Sequence, residues 1–310
     1  MGRLRTAVRT LADVDLTPDE LLTQLDDLVL RLDSEGPRFD AWSGETTGEV
    51  GATCLYAVYD PVSQRCSMAR AGHPVPALTY PDGNVRYLED VPAGPPLGIG
   101  GLPFEVVEFD IPEGSVLALY TNGLVETHDH NQDAGYARLR DALSGSLPSL
   151  EEVCDRALRN VARHRPEDDV ALLLARTRAL HSDRVATWDL STDPAVVQHA
   201  RELACGQVAA WGLEDCVLTT ELIVSELVTN AIRYGNPPIR LRLIRDATLI
   251  CEVSDTGSAA PHLRRARVFD EGGRGLFIVA QLTHRWGSRH SGTGKTIWAE
   301  QLLPSSGPAE

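Results

Sequence analysis

Lysine is almost missing from this chain. Of 29 basic side chains in 310 residues, Lys295 alone is not arginine, a bias better explained by a G+C-rich genome than by a mechanism. Long hydrophobic runs are also missing, and none approaches the roughly 20 residues that a membrane-spanning helix requires. The opening residues MGRLRTAVRTLA carry no apolar stretch of the kind a secretory signal needs. A soluble, cytoplasmic protein is therefore expected. The six cysteines include no C-x-x-C pair and no histidine at zinc spacing, so they read as buried reduced thiols, not as a metal or redox site. No internal repeat is visible.

What is present divides into two parts. The chain is long enough for two ordinary domains, and 43% apolar content is enough for real cores. The formal charge of -15 is uneven: residues 1–180 hold 16 arginines against 29 acids, and residues 181–310 hold 13 basic groups against 15 acids. The acidic half argues against nucleic-acid binding there. Its carboxylates suit either a divalent-metal site or simple solubility. The segment ALHSDRVAT, around residues 179–187, is the best boundary. Residues 1–180 and 181–303 are thus expected to be domains, with PSSGPAE at 304–310 a disordered tail.

Leu4, Val8 and Leu11 predict an opening helix. A second follows the capping sequence T-P-D-E at Thr17, with Leu21, Leu22, Leu25, Leu28, Val29 and Leu32 at the 3.6 period. Residues 33–50, rich in Gly and Glu, read as a loop. Six short β-favouring segments then lie between residues 52 and 122, separated by turn signals such as D-P, P-D-G and P-E-G. A helix over Leu150–Ala162, capped by Ser149 and Glu152, and a buried strand, VALLLARTR, close this half.

The segment LTTELIVSELVTNAIRYG is the most informative. Ile223, Val224, Leu227, Val228, Ala231 and Ile232 form an apolar arc, while Glu226, Asn230 and Arg233 stack on the other side; Gly235 and Asn236 supply the stop. A carboxylate and a carboxamide one turn apart can polarise a hydroxyl and hold a magnesium ion, although such a pair alone also describes a solvated stripe. Next, LICEVSDTG is a strand delivering Asp255 into a turn at Gly257, where a carboxylate can accept from an exocyclic amine. FDEGGRGLFIVAQL is a glycine loop entering an apolar helix, whose start suits phosphate oxygens, with Arg274 adding charge. GKTIWAE returns as a strand carrying Thr296. A P-loop is rejected at GTGKT, because Arg289 stands where glycine is needed and strand follows.

Glu/Asn helix, D-T-G, G-G-R-G-L and G-K-T, in that order, resemble the N, G1 and G2 boxes of the GHKL ATPase superfamily, and most of all the anti-sigma-factor serine/threonine kinases. The resemblance implies a Bergerat-type α/β sandwich binding ATP and Mg2+. It makes Glu226 the general base and Asn230 the magnesium ligand. Asp255 with Gly257 would read adenine, Gly273 and Gly275 with Arg274 would lie over the phosphates, and Thr296 would support the adenine pocket.

In the first half, ARAGHPVPAL, LALYTNGLVE and RPEDDVALLLAR together resemble the PPM-type protein phosphatases of the bacterial sporulation (SpoIIE-type) branch. That family implies an α-β-β-α sandwich and two Mn2+ or Mg2+ ions held by aspartates. Its early G-D strands precede anything in this chain, so an N-terminally truncated domain is expected. Its Y-T-D-G appears as YTNG with Asn122, and only Asp168 carries over clearly as a metal ligand, with Asp169 beside it. One aspartate cannot offset four positive charges, so an inactive phosphatase-like half is expected. Three functions stay open: a kinase or switch acting on a serine of a STAS-domain anti-sigma antagonist, an active phosphoserine phosphatase, and a non-catalytic nucleotide-dependent module binding a sigma factor or its antagonist. Self-association as a homodimer is also left open.

Overall fold

The structure is a computed structural model that describes residues 2–12, 15–35, 52–126, 132–145, 149–162, 168–257, 275–291 and 294–303. Of the expected 33–50 loop, residues 33–35 are instead the end of the second helix; residues 36–50, Gly273 and Arg274, and the 304–310 tail lie outside the described residues. Two compact units divide the chain: Met1–Arg9 with Thr17–Ala179, and Thr10–Leu16 with Leu180–Glu310.

The opening helix is α1 (Gly2–Ala12), and α2 runs over Pro18–Glu35. At the start of α2 the Glu20 carboxylate accepts the Thr17 backbone N–H at 3.0 Å, half of a capping box. Leu21, Leu22, Leu25 and Val29 are buried as the 3.6 period requires. They face the hairpin β1 (Cys54–Asp60) and β2 (Arg65–Ala71), whose D-P turn is held by Asp60 accepting the Val62 N–H and the Ser63 hydroxyl. Strands β3 (Ala77–Thr79), β4 (Val85–Tyr87), β5 (Val107–Asp110) and β6 (Val116–Tyr120) complete the six expected segments. They form two antiparallel sheets, β1-β2-β5 and β4-β3-β6-β7, the last strand being Leu172–Arg176. Cys66, Met68, Leu78 and Leu117 fill the space between the sheets. On the far side Ala77, Tyr87, Ala118 and Tyr120 pack on helices α3 (Gln132–Leu143) and α4 (Leu150–Ala162). The layers are therefore α-β-β-α, as the phosphatase resemblance implies.

Two local expectations need correcting. Helix α3 is not among the expected elements, because QDAGYARLRDAL has little apolar periodicity and a glycine in its first turn. That glycine is a packing requirement: a methyl on Gly135 would overlap the Val125 carbonyl oxygen. Strand β7 was expected to be buried, yet it is an edge strand and Leu173 is 59% exposed. An all-apolar run mimics two-sided burial, and here only one face of the strand is covered. The α4 cap is present in half: the Ser149 hydroxyl accepts the Glu152 N–H and gives its own proton to Glu151.

The second unit is one antiparallel five-stranded sheet with helices on one face. Its elements are β8 (Val185–Leu190), α5 (Val196–Ala210), α6 (Glu214–Tyr234), β9 (Ile239–Arg245), β10 (Thr248–Asp255), α7 (Gly275–Leu282), β11 (Arg285–Ser291) and β12 (Gly294–Leu302), and the strand order is β11-β12-β10-β9-β8. The apolar arc of α6 is buried against Leu241, Leu243, Cys251 and Val253. One buried hydrogen bond fixes its register, with Gln301 of β12 donating to the Thr220 hydroxyl at 3.0 Å.

Two outcomes test this packing. Gly135→Ala should destabilise the first unit by about 2 kcal/mol or more, as overpacking against fixed backbone does. Gly206→Ala in α5, where nothing lies within 4 Å of the added methyl, should stabilise by about 0.5–1 kcal/mol. Urea unfolding of both variants checks this, and effects of equal sign would contradict the packing. Burial pushes the Cys66 thiol up to about 11 and raises Cys251 as well. Little thiolate forms at pH 8, so iodoacetamide followed by peptide mass mapping should modify both residues only after denaturation.

Candidate functional site

The polar side of α6 faces α7. Glu226 and Asn230 are both half-buried, while Arg233, expected in the same row, is exposed. The first residue of α7 comes so close that a methyl on Gly275 would overlap Oε2 of Glu226. The carboxylate thus sits against the first residue of α7, where a side chain in place of Gly275 would displace it.

The C-terminal end of α6 meets β10. Gly235 has an extended backbone, not the left-handed one common after a helix. Its glycine is required by proximity instead, since an added methyl would lie 2.5 Å from Cγ of Asp255. Asp255 is buried. Its Oδ1 accepts the Gly257 N–H at 2.7 Å and the Asn236 N–H at 3.3 Å. Thr256 secures the turn by donating its N–H to the Asn236 carbonyl and its hydroxyl to that of Pro237. From Gly235 back to Glu226 is nine residues of helix, about 13 Å, with Asn230 near the middle. Glu226 and Asn230, four residues apart, share one side of α6, and Asp255 stands at the C-terminal end of the same helix.

Thr296 does not join them. In the β10–β12 ladder it lies opposite Ser254, whereas Lys295 lies opposite Asp255. Alternation along a strand turns Thr296 to the other face of the sheet. The burial pattern agrees, with Lys295, Ile297 and Ala299 buried on the helix side. The β12 side chain beside Asp255 is thus the Lys295 ammonium, 3.8 Å from Oδ2, and not Thr296. Strand parity, counted from the apolar Ile297 and Ala299, is the sequence signal that would have found it. On that other face, Glu252 is held between Arg242 and Arg289. Arg289, the residue that ruled out a P-loop, thus has a partner of its own, and Lys295 lies within a strand.

In the first unit, the structure brings the Asn122 turn and Asp168 together. A methyl on Gly123 would lie 2.5 Å from the Asp168 carbonyl, and the Thr121 hydroxyl donates to the Asp169 carbonyl at 2.7 Å. Oδ1 of Asp168 is taken up locally by the Asp169 N–H at 2.7 Å. Among the described residues no group of three or more His, Cys, Asp or Glu is placed to hold a metal ion. The residues present do not fit a two-metal centre, because an Asn122 amide supplies a dipole and no charge. The ARAGHP segment is a packing device: Arg70 donates to the His73 and Val91 carbonyls, and Gly72 pairs with Gly94. Burial and the neighbouring Arg70 charge hold the His73 imidazole below its usual range. Among the described residues no helix is long and apolar enough to cross a membrane.

Comparison with known proteins agrees with both halves. Residues 1–178 match the Stage II sporulation protein E (SpoIIE) family, and residues 190–300 match the histidine kinase-like ATPase domain. Among solved structures, the chain is similar to the RsbU and RsbW domains of Rv1364c from Mycobacterium tuberculosis, at 24% identity over 98% of this chain and 81% of that one, with a TM-score of 0.49. It is also similar to the phosphatase domain of the cell fate determinant SpoIIE from Bacillus subtilis, at 20% identity over 51% and 73%, TM-score 0.35. A third is PppA of Pseudomonas aeruginosa, at 18% identity over 56% and 79%, TM-score 0.40. With a SpoIIE match over more than half its length, fused to a histidine kinase-like ATPase domain, the chain belongs to the SpoIIE family.

Proposed function

We propose that the second unit binds ATP with Mg2+ and acts as a serine-kinase-like switch on a STAS-domain anti-sigma antagonist, beside a phosphatase-like domain that does not turn over. What supports this reading is that Glu226 and Asn230 share one side of α6 while Asp255 stands at its C-terminal end beside Gly235 and Gly257. An acceptor for a base, an amide oxygen for a cation and a carboxylate are then offered by one helix and the turn at its end. When bound, Mg-ATP supplies a phosphoryl group and the charge that neutralises it. Asp255 orients the base end. Asn230 offers its side-chain oxygen to the cation, and Glu226 takes the proton of an incoming serine hydroxyl. Gly273, Arg274 and Gly275 are assigned to the phosphates on the strength of the motif.

The chain incubated with radiolabelled ATP and purified STAS proteins should label a serine. Glu226→Ala should lower transfer by about 10²-fold or more while ATP binding persists. Gly275→Ala, which crowds the Glu226 carboxylate, should lower transfer without loss of fold. No labelling of any STAS candidate, with Glu226→Ala indistinguishable from the parent chain, would sink the reading. Manganese should produce no hydrolysis of a phosphoserine STAS protein, and Asn122→Asp alone should not create it. Hydrolysis that depends on Mn2+ and disappears in Asp168→Ala would overturn the inactive assignment.

A further inference from the structure

The base end of the site holds an ion pair that the motifs do not anticipate. Asp255 and Lys295 are cross-strand partners, with side chains 1% and 3% exposed and Nζ 3.8 Å from Oδ2. Lys295 is the chain's sole lysine. A buried charge pair costs desolvation that two apolar side chains would not, so its position against Asp255 calls for a role. The two oxygens of Asp255 are not equivalent. Oδ1 is held by the Gly257 and Asn236 N–H groups, and Oδ2 is the oxygen turned toward Lys295. The site therefore sets one acceptor oxygen beside one ammonium, which has three protons to donate.

We propose that Lys295 is a base-reading residue, donating to the adenine ring nitrogen next to the exocyclic amine while Oδ2 of Asp255 accepts from that amine. Adenine presents this donor and acceptor side by side. Guanine presents a carbonyl beside a ring N–H and an amine, two adjacent donors that a carboxylate reads best with both oxygens. Oδ1 is committed to the main chain, so that reading is closed and adenine is selected. The inference rests on the nucleotide reading above, and it adds a second determinant of base choice to Asp255.

The test is equilibrium binding of Mg-ATP, Mg-GTP and the Mg complex of 1-deaza-ATP, which lacks the ring nitrogen in question, to the full chain. The parent chain should bind 1-deaza-ATP roughly ten- to a hundredfold more weakly than ATP, the range for a lost hydrogen bond to a charged group, and should also prefer ATP to GTP. Lys295→Met should bind ATP and 1-deaza-ATP alike, and Lys295→Arg, which keeps a donor, should retain discrimination. If Lys295→Met does not fold, the parent chain and Lys295→Arg with the three nucleotides still decide. Equal binding of ATP and 1-deaza-ATP by the parent chain, or undiminished discrimination in Lys295→Met, would leave Lys295 a structural counter-ion and overturn the inference while the nucleotide reading stands. Failure of the parent chain to bind any of the three overturns both.

Discussion

The carboxylate of Asp255 ties together the end of α6, the turn after β10 and the start of β12. Gly257 and Asn236 donate to one of its oxygens, Lys295 faces the other, and Gly235 gives up a side chain so that the helix can end against it. Remove that charge and a buried ammonium loses its carboxylate partner, a change that typically costs about 3–5 kcal/mol. The same contact fixes where α6 stops, and so where Asn230 and Glu226 stand along it. The buried Gln301–Thr220 hydrogen bond fixes the other end of the helix on the same sheet.

The sequence was most readable where one period ran long. The arc of α6 and the leucines of α2 follow from the 3.6 repeat, and six of the N-terminal strands follow from short β-favouring segments between turn signals. It was least readable where chemistry depends on strand parity. G-K-T as a motif draws attention to Thr296, but alternation from Ile297 and Ala299 places Lys295 on the helix side of the sheet, opposite Asp255. Helix α3 escaped because its glycine serves a crossing with Val125, a contact that no local pattern announces. The exposed Leu173 of β7 shows the converse, an apolar run whose burial depends on what lies across the sheet.

The architecture of the first unit rests on apolar packing. Two sheets and their helices pack through Met68, Leu78, Ala118 and Leu139, none of which depends on a metal ion. Asn122 and Asp168 still meet across β6 and β7 because main-chain contacts at Thr121, Gly123 and Asp169 bring them together.

Lys295 has one more consequence. Since every other basic side chain is arginine and this one is 3% exposed, amine-selective reagents meet almost no target on the folded chain apart from its α-amino group. Acylation of an ε-amine would report on the opening of a single spot, the one beside Asp255. The chain therefore carries a built-in chemical probe of that pocket, with no competing lysine to subtract.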